Sequence, residues 1–197
     1  PLKAKDIRSE LSILLKAARD NVDKAIDNAT ESQYASGMVW YQHAHDDCLY
    51  RADHYRIGTE KFAGMVAALS PQMRWEWKIL EAEKMCVDPL YKPGTYGLCV
   101  KKARDIYNGC DPVETLRGPK TTAFYHCIVD PGGTWRVAID RHQIRLMFPE
   151  GSKRMHSTML DLFYQELEEV HGLVADKRKM LPSQAQAIGW IVQREGS

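Results

Sequence analysis

The chain has 197 residues, 44% hydrophobic and 27% charged, with a formal net charge of +1. These values exclude a disordered chain and a polycation drawn to nucleic acid by bulk charge. They suit one domain, 1–197, long enough to bury roughly 70% of its unfolded surface.

Residues 3 to 29 place Ile7, Leu11, Leu14, Leu15, Ala18, Val22 and Ile26 at helical spacing, which predicts one long amphipathic helix. A second helix is expected from Glu31 to Ile57, with Gly37 weakening its first half. Gly58 ends it, and Thr59 is the expected N-cap of a third helix burying Phe62, Met65, Val66 and Leu69. Ser70-Pro71 stops that helix, because the residue before proline is pushed out of the helical region. Met73 to Met85 reads as helix, Asp88 to Gly97 as loop, and Leu98 to Tyr107 as helix again. Asp111-Pro112 starts the next helix, with the aspartate as cap and the proline at the first helical position. Helices follow Lys120 and Asp140, joined by the Asp130-Pro131-Gly132-Gly133 turn and a β-rich run from Trp135 to Ile139. Met155 to His171 and Gln184 to Arg194 complete the chain, the last helix carrying Ala187, Ile188, Trp190 and Ile191. An all-α fold of about nine helices is expected, with no linker or internal repeat.

No run approaches the ~18 apolar residues of a membrane span, and Pro1-Leu2-Lys3-Ala4-Lys5 has no signal-peptide core. The five cysteines are widely spaced and never form Cys-x-x-Cys, which argues against a zinc ribbon or an iron–sulfur cluster and for free thiols. A cytoplasmic monomer without cofactor or metal is expected. From Arg117 to Arg154 seven basic residues (Arg117, Lys120, Arg136, Arg141, Arg145, Lys153, Arg154) face three acidic ones (Asp130, Asp140, Glu150), a local basic patch in a nearly neutral chain.

That patch contains a lysine opening one helix, Lys120, and an aspartate opening the next, Asp140. Such a pair can converge on one cleft for covalent or acid–base chemistry. The bland alternative is a solvated first-turn lysine and an N-cap aspartate. Gln72, after Ser70-Pro71, can donate to and accept from a base edge, or it can be an exposed residue in a helix-breaking turn. Trp75 and Trp77 read as core, with stacking on a base as the alternative. Lys78 reads as a phosphate contact or as a solvated lysine. Arg141 and Arg145 share one helical face and read as phosphate anchors or as a solvated face. His142 orients Asp140, contacts phosphate, or sits satisfied in the core. His43-Ala44-His45-Asp46-Asp47 lacks His-Glu-x-x-His spacing and reads as a polar helix face rather than a metal site.

Leu116-Arg117-Gly118-Pro119-Lys120-Thr121-Thr122-Ala123, then Val137-Ala138-Ile139-Asp140-Arg141-His142, resembles the helix-hairpin-helix DNA glycosylase superfamily, above all its endonuclease III-like branch. Phe62 to Gln72 is similar to that family's apolar helix ending in Leu-Ser-x-Gln, and the resemblance covers residues 60 to 148. It implies a two-lobed helical bundle on double-stranded DNA. Lys120 would then attack the sugar of a flipped nucleotide, and Asp140 would activate the nucleophile and support charge on the sugar. Ser70, Gln72, Trp75 and His142 would lie at the base; Gly118, Thr121, Arg141, Arg145 and Lys78 would lie at phosphates. The hairpin is two residues shorter than the family's and lacks its second glycine, and no cluster of four C-terminal cysteines is present. The sequence is also similar to a phage branch, the α-glutamyl/putrescinyl thymine pyrophosphorylases. That likeness implies a transferase joining an amine or amino acid co-substrate to an activated thymine derivative, in a bacterial or phage-infected cell. A non-catalytic DNA-binding module is the third alternative.

Overall fold

The structure is a computed structural model that describes residues 4–149 and 162–196, with side chains described from Glu10 onward. Among the described residues there are ten helices and no strand. They are α1 (Ala4–Asp27), α2 (Glu31–His54), α3 (Thr59–Ala68), α4 (Trp75–Val87) and α5 (Gly97–Tyr107). After these come α6 (Pro112–Leu116), α7 (Pro119–Val129), α8 (Arg141–Met147), α9 (Tyr164–Arg178) and α10 (Pro182–Glu195). No described helix is long and apolar enough to cross a membrane.

The chain divides into two compact units, one formed by Pro1–Tyr41 with Trp135–Ser197 and the other by Gln42–Thr134. In the first, α1 packs on α8, α9 and α10. Among its described side chains, those fully under cover in the apolar stripe are Ala18, Val22, Ala25 and Ile26. In the second, α3 is the central helix and touches α4, α5, α6 and α7. Every residue from Phe62 to Ala68 is buried, as expected of a helix apolar on all sides. Its small residues let neighbours come close: a Cβ on Gly64 would lie 3.0 Å from Pro112 Cβ and 3.2 Å from Ile106 Cγ2.

Local stop and start signals account for most boundaries. Asp111 caps α6 through Oδ1, which accepts from the Glu114 amide at 2.8 Å, and Pro112 follows at the first helical position. Several expectations need correction. Thr59 is not a cap: Gly58 holds that position and Thr59 is the first helical residue. The second helix ends at His54, because Arg56 turns left-handed (φ 55) and the Ile57 amide closes back on the Ala52 carbonyl. Trp77 is 55% exposed and is not core. The β-rich run from Trp135 to Ile139 forms no strand, since no partner strand exists among the described residues. The helix expected from Met155 begins in its described part at Tyr164, after Phe163 leaves helical geometry (φ −131, ψ 27), and runs on to Arg178. Residues 155–161 lie outside the described residues.

Gly37 has a packing reason rather than a helix-weakening one. A Cβ there would lie 2.5 Å from Ile188 Cγ1 and 2.7 Å from the Ile188 backbone N and Cα. Backbone atoms of α10 cannot swing aside as a side-chain end can. Gly37→Ala should therefore destabilise the protein by about 2 kcal/mol in urea unfolding, overpacking outweighing the ~1 kcal/mol of helix propensity that alanine adds. A stability gain would show that α2 and α10 do not meet this closely.

Candidate functional site

The site builds up from the extended segment before α8. Val137, Ala138 and Ile139 are buried, so their backbone groups need partners that no strand supplies. Helix α9 supplies them from one face. The Tyr164 hydroxyl donates to the Val137 carbonyl (2.8 Å) and accepts from the Ile139 amide (3.0 Å). One turn on, Glu168 Oε1 accepts from the Val137 amide and from Arg136 Nε, each at 2.9 Å. Glu168 is 2% exposed, and its Oε2 has no hydrogen-bond partner. Burial pushes its carboxyl above the usual carboxylate range, against the pull of the Val137 amide and Arg136.

This segment delivers Asp140 to the N-cap of α8. Oδ1 accepts from the backbone amides of His142 (2.8 Å) and Gln143 (3.1 Å), and Oδ2 accepts from Trp190 Nε1 at 3.2 Å. Three N–H groups, two of them at a helix N-terminus, thus converge on one half-buried carboxylate. Trp190 also fixes the surroundings. Its ring meets the His142 ring edge-on at 6.3 Å between centroids, and Trp40 is tilted against it at 6.3 Å. The Arg194 guanidinium lies 4.9 Å over it. Burial lowers the His142 pKa, with Arg141, Arg145 and Arg194 adding to the effect and Asp140 opposing it. Its Nδ1 is buried without a partner, so the ring does not hold Asp140; the backbone of His142 does. Arg141 and Arg145 are exposed on α8.

Behind the site runs a buried polar chain. Gln143 Nε2 donates to the Gln186 carbonyl (2.7 Å), Gln143 Oε1 faces His171 Nε2 (3.1 Å), and the Tyr41 hydroxyl donates to Gln186 Oε1 (2.8 Å). These bonds lock α8, α9, α10 and the first half of α2 to one another around Asp140.

The remaining predicted residues belong to the Gln42–Thr134 unit. Lys120 is the second residue of α7, half-buried, and among the described residues it has no hydrogen-bonding or ion-pair partner. Gly118 caps α7, its amide given to the Leu116 carbonyl (2.7 Å), while the Thr121 hydroxyl donates to the Gly118 carbonyl (3.1 Å). Ser70 is buried with its hydroxyl unpartnered, and two residues later exposed Gln72 adopts a left-handed backbone, φ 59. Trp75 donates its indole N–H to Asp47 Oδ2 (3.0 Å) and meets Phe124 edge-on, and Lys78 Nζ sits 4.7 Å over the same Phe124 ring. The structure thus joins Trp75 and Lys78 of α4 at the Phe124 ring of α7, and joins Asp140 and His142 of α8 to Trp190 of α10. Asp47 is spent on Arg51 and Trp75, and His45 Nδ1 lies 2.9 Å from the Ile128 carbonyl. No group of three or more His, Cys, Asp or Glu fit for a metal ion occurs among the described residues. A shallow groove between Tyr55, Glu83, Val87 and Tyr91 contains none of the predicted residues.

A protein-family profile described as a family of unknown function (DUF7178) matches residues 4–197. The chain belongs to that family. No curated protein and no solved structure matches the chain. In this DUF7178 member, sequence reasoning had missed Tyr164, Glu168 and Arg194 as site residues and had read Trp190 only as part of an apolar face. Its indole N–H is the signal that could have marked it, since a buried tryptophan seeks an acceptor for that group.

Proposed function

We propose that this chain is an enzyme acting on a nucleobase turned out of duplex DNA, on a helix-hairpin-helix glycosylase-like scaffold. The observation that supports this most is the half-buried Asp140 carboxylate, oriented by three N–H donors beside the Trp190 and His142 rings. A fixed negative charge of that kind is suited to supporting positive charge that develops on a sugar ring. In this reading the Lys120 amine attacks the sugar C1′, and the bond from C1′ to the base breaks with its electron pair. The departing base takes a proton, and the amine stays bonded to the sugar. Lys120 suits the role because no other group occupies its amine among the described residues.

The test is to incubate duplexes containing thymine, damaged bases, or 5-hydroxymethyl- and 5-phosphomethyluracil, and to weigh the products by mass spectrometry. Free base supports excision. A heavier base would replace excision by transfer of an amine or amino acid to the base. No change in any duplex would remove the reading. Borohydride should trap the protein on DNA when Lys120 forms the covalent bond, and Lys120→Ala should abolish the adduct.

A further inference from the structure

We propose that Arg141, Arg145 and Arg194 form a grip for a nucleic-acid sugar–phosphate backbone beside Asp140, with Arg194 held in position by Trp190. This rests on the reading of Asp140 as the centre of a DNA-acting site. Arg141 and Arg145 are one turn apart on α8, about 6 Å along its axis, and both are exposed. Arg194 comes from the last turn of α10, one turn beyond Trp190, and its guanidinium stacks 4.9 Å over that ring. The same ring donates to Asp140 Oδ2 at 3.2 Å and meets His142 edge-on, so Arg194 faces the site from a second helix.

These three cations belong to the same compact unit as Asp140. Among the described residues Arg19, Arg51, Arg136 and Arg178 each form an ion pair with a carboxylate; Arg141, Arg145 and Arg194 form none, and neither do Arg56, Arg74, Arg104 and Arg117, which belong to the Gln42–Thr134 unit. Glu195, the acidic neighbour of Arg194, accepts from Gln33 Nε2 at 2.7 Å. Three exposed guanidiniums around one carboxylate leave a net positive rim, which fits a polyanion whose charges are spaced along a line. Stacking on Trp190 restricts Arg194 before any ligand arrives, which lowers the entropy lost when its planar fork meets a phosphate. Burial, and with it Arg141, Arg145 and Arg194, lowers the His142 pKa against the pull of Asp140, so His142 adds less charge to the rim than a free imidazole would.

The experiment measures fluorescence anisotropy of a labelled duplex carrying one 5-hydroxymethyluracil, titrated with the full-length chain over a salt series. Wild type should give a slope of log K against log salt of at least about 2.7 in magnitude, for three phosphates engaged. Arg194→Gln, Arg141→Gln and Arg145→Gln should each flatten that slope by about 1. Trp190→Phe keeps a ring under Arg194 and should keep the slope. Lys101→Gln, an exposed lysine paired with Asp105, should change nothing. An Arg194→Gln titration that superimposes on wild type would overturn the assignment of Arg194, and salt-independent or absent binding by wild type would overturn the grip as a whole. Binding with the expected slopes but no altered base in any duplex would keep the grip and remove the enzymatic reading. Altered bases with DNA affinity unmoved by all three substitutions would do the reverse.

Discussion

Asp140→Asn is expected to slow product formation at least ~100-fold while the fold stays within about 1 kcal/mol of wild type. The two effects separate because asparagine caps helices as well as aspartate does. Its side-chain oxygen can still accept from the amides of His142 and Gln143, at present 2.8 and 3.1 Å away. What it cannot supply is the negative charge. Its amide nitrogen would also oppose the Trp190 N–H, a donor facing a donor, which is where the small stability cost arises. A 100-fold loss is about 2.7 kcal/mol in the barrier, so activity should fall far more than stability. Rates measured on the duplex that wild type alters, together with urea unfolding of both proteins, check this. Wild-type rates in the asparagine variant would reduce Asp140 to a helix cap and remove its charge from the chemistry.

Between pH 6.5 and 4, wild type should lose about 3 kcal/mol more stability than a His171→Gln variant. His171 is fully buried, and burial pushes its pKa down from 6.5 to about 4, although the Leu167 carbonyl pulls upward. Both ring nitrogens face oxygens, Leu167 O at 2.9 Å and Gln143 Oε1 at 3.1 Å, an arrangement that by itself would favour a doubly protonated ring. Burial is the larger effect, and a neutral ring results. Gln143 gives its amide nitrogen to Gln186, so its oxygen faces His171 and assigns the proton to Nε2. Within this pH window the unfolded chain takes up a proton that the folded one resists, so stability rises with pH up to 6.5 and is then flat for this group. Glutamine at 171 keeps a donor toward Gln143 but does not titrate, and contributions from Glu168, Asp23 and other carboxyls cancel in the comparison. Parallel stability curves for the two proteins would show that His171 is not buried and neutral.

Local signals made the helix starts at Lys120 and Asp140 legible. Gly118-Pro119 announced the helix that Lys120 opens, and Asp140 stood where a cap was needed, because caps and first-turn prolines depend on neighbours a few positions away. The all-α character followed from helical periodicity in the same way. The partners of those residues were not legible. Trp190 meets Asp140 across fifty positions and Gln143 meets His171 across twenty-eight, and periodicity tells which side is buried but not what it is buried against. The Trp135 to Ile139 run has the composition of a strand, yet that preference expresses itself only where another strand lies alongside. The lesson of Trp77 is similar: a large aromatic is usually covered, and this one is not.

The support that Tyr164 and Glu168 give to residues 137 and 139 ties the extended run before Asp140 to one helix, α9. A sheet would have spread that dependence over many cross-links. Here the run before Asp140 keeps its shape only while the hydroxyl of Tyr164 and the carboxylate of Glu168 stay one helical turn apart on α9.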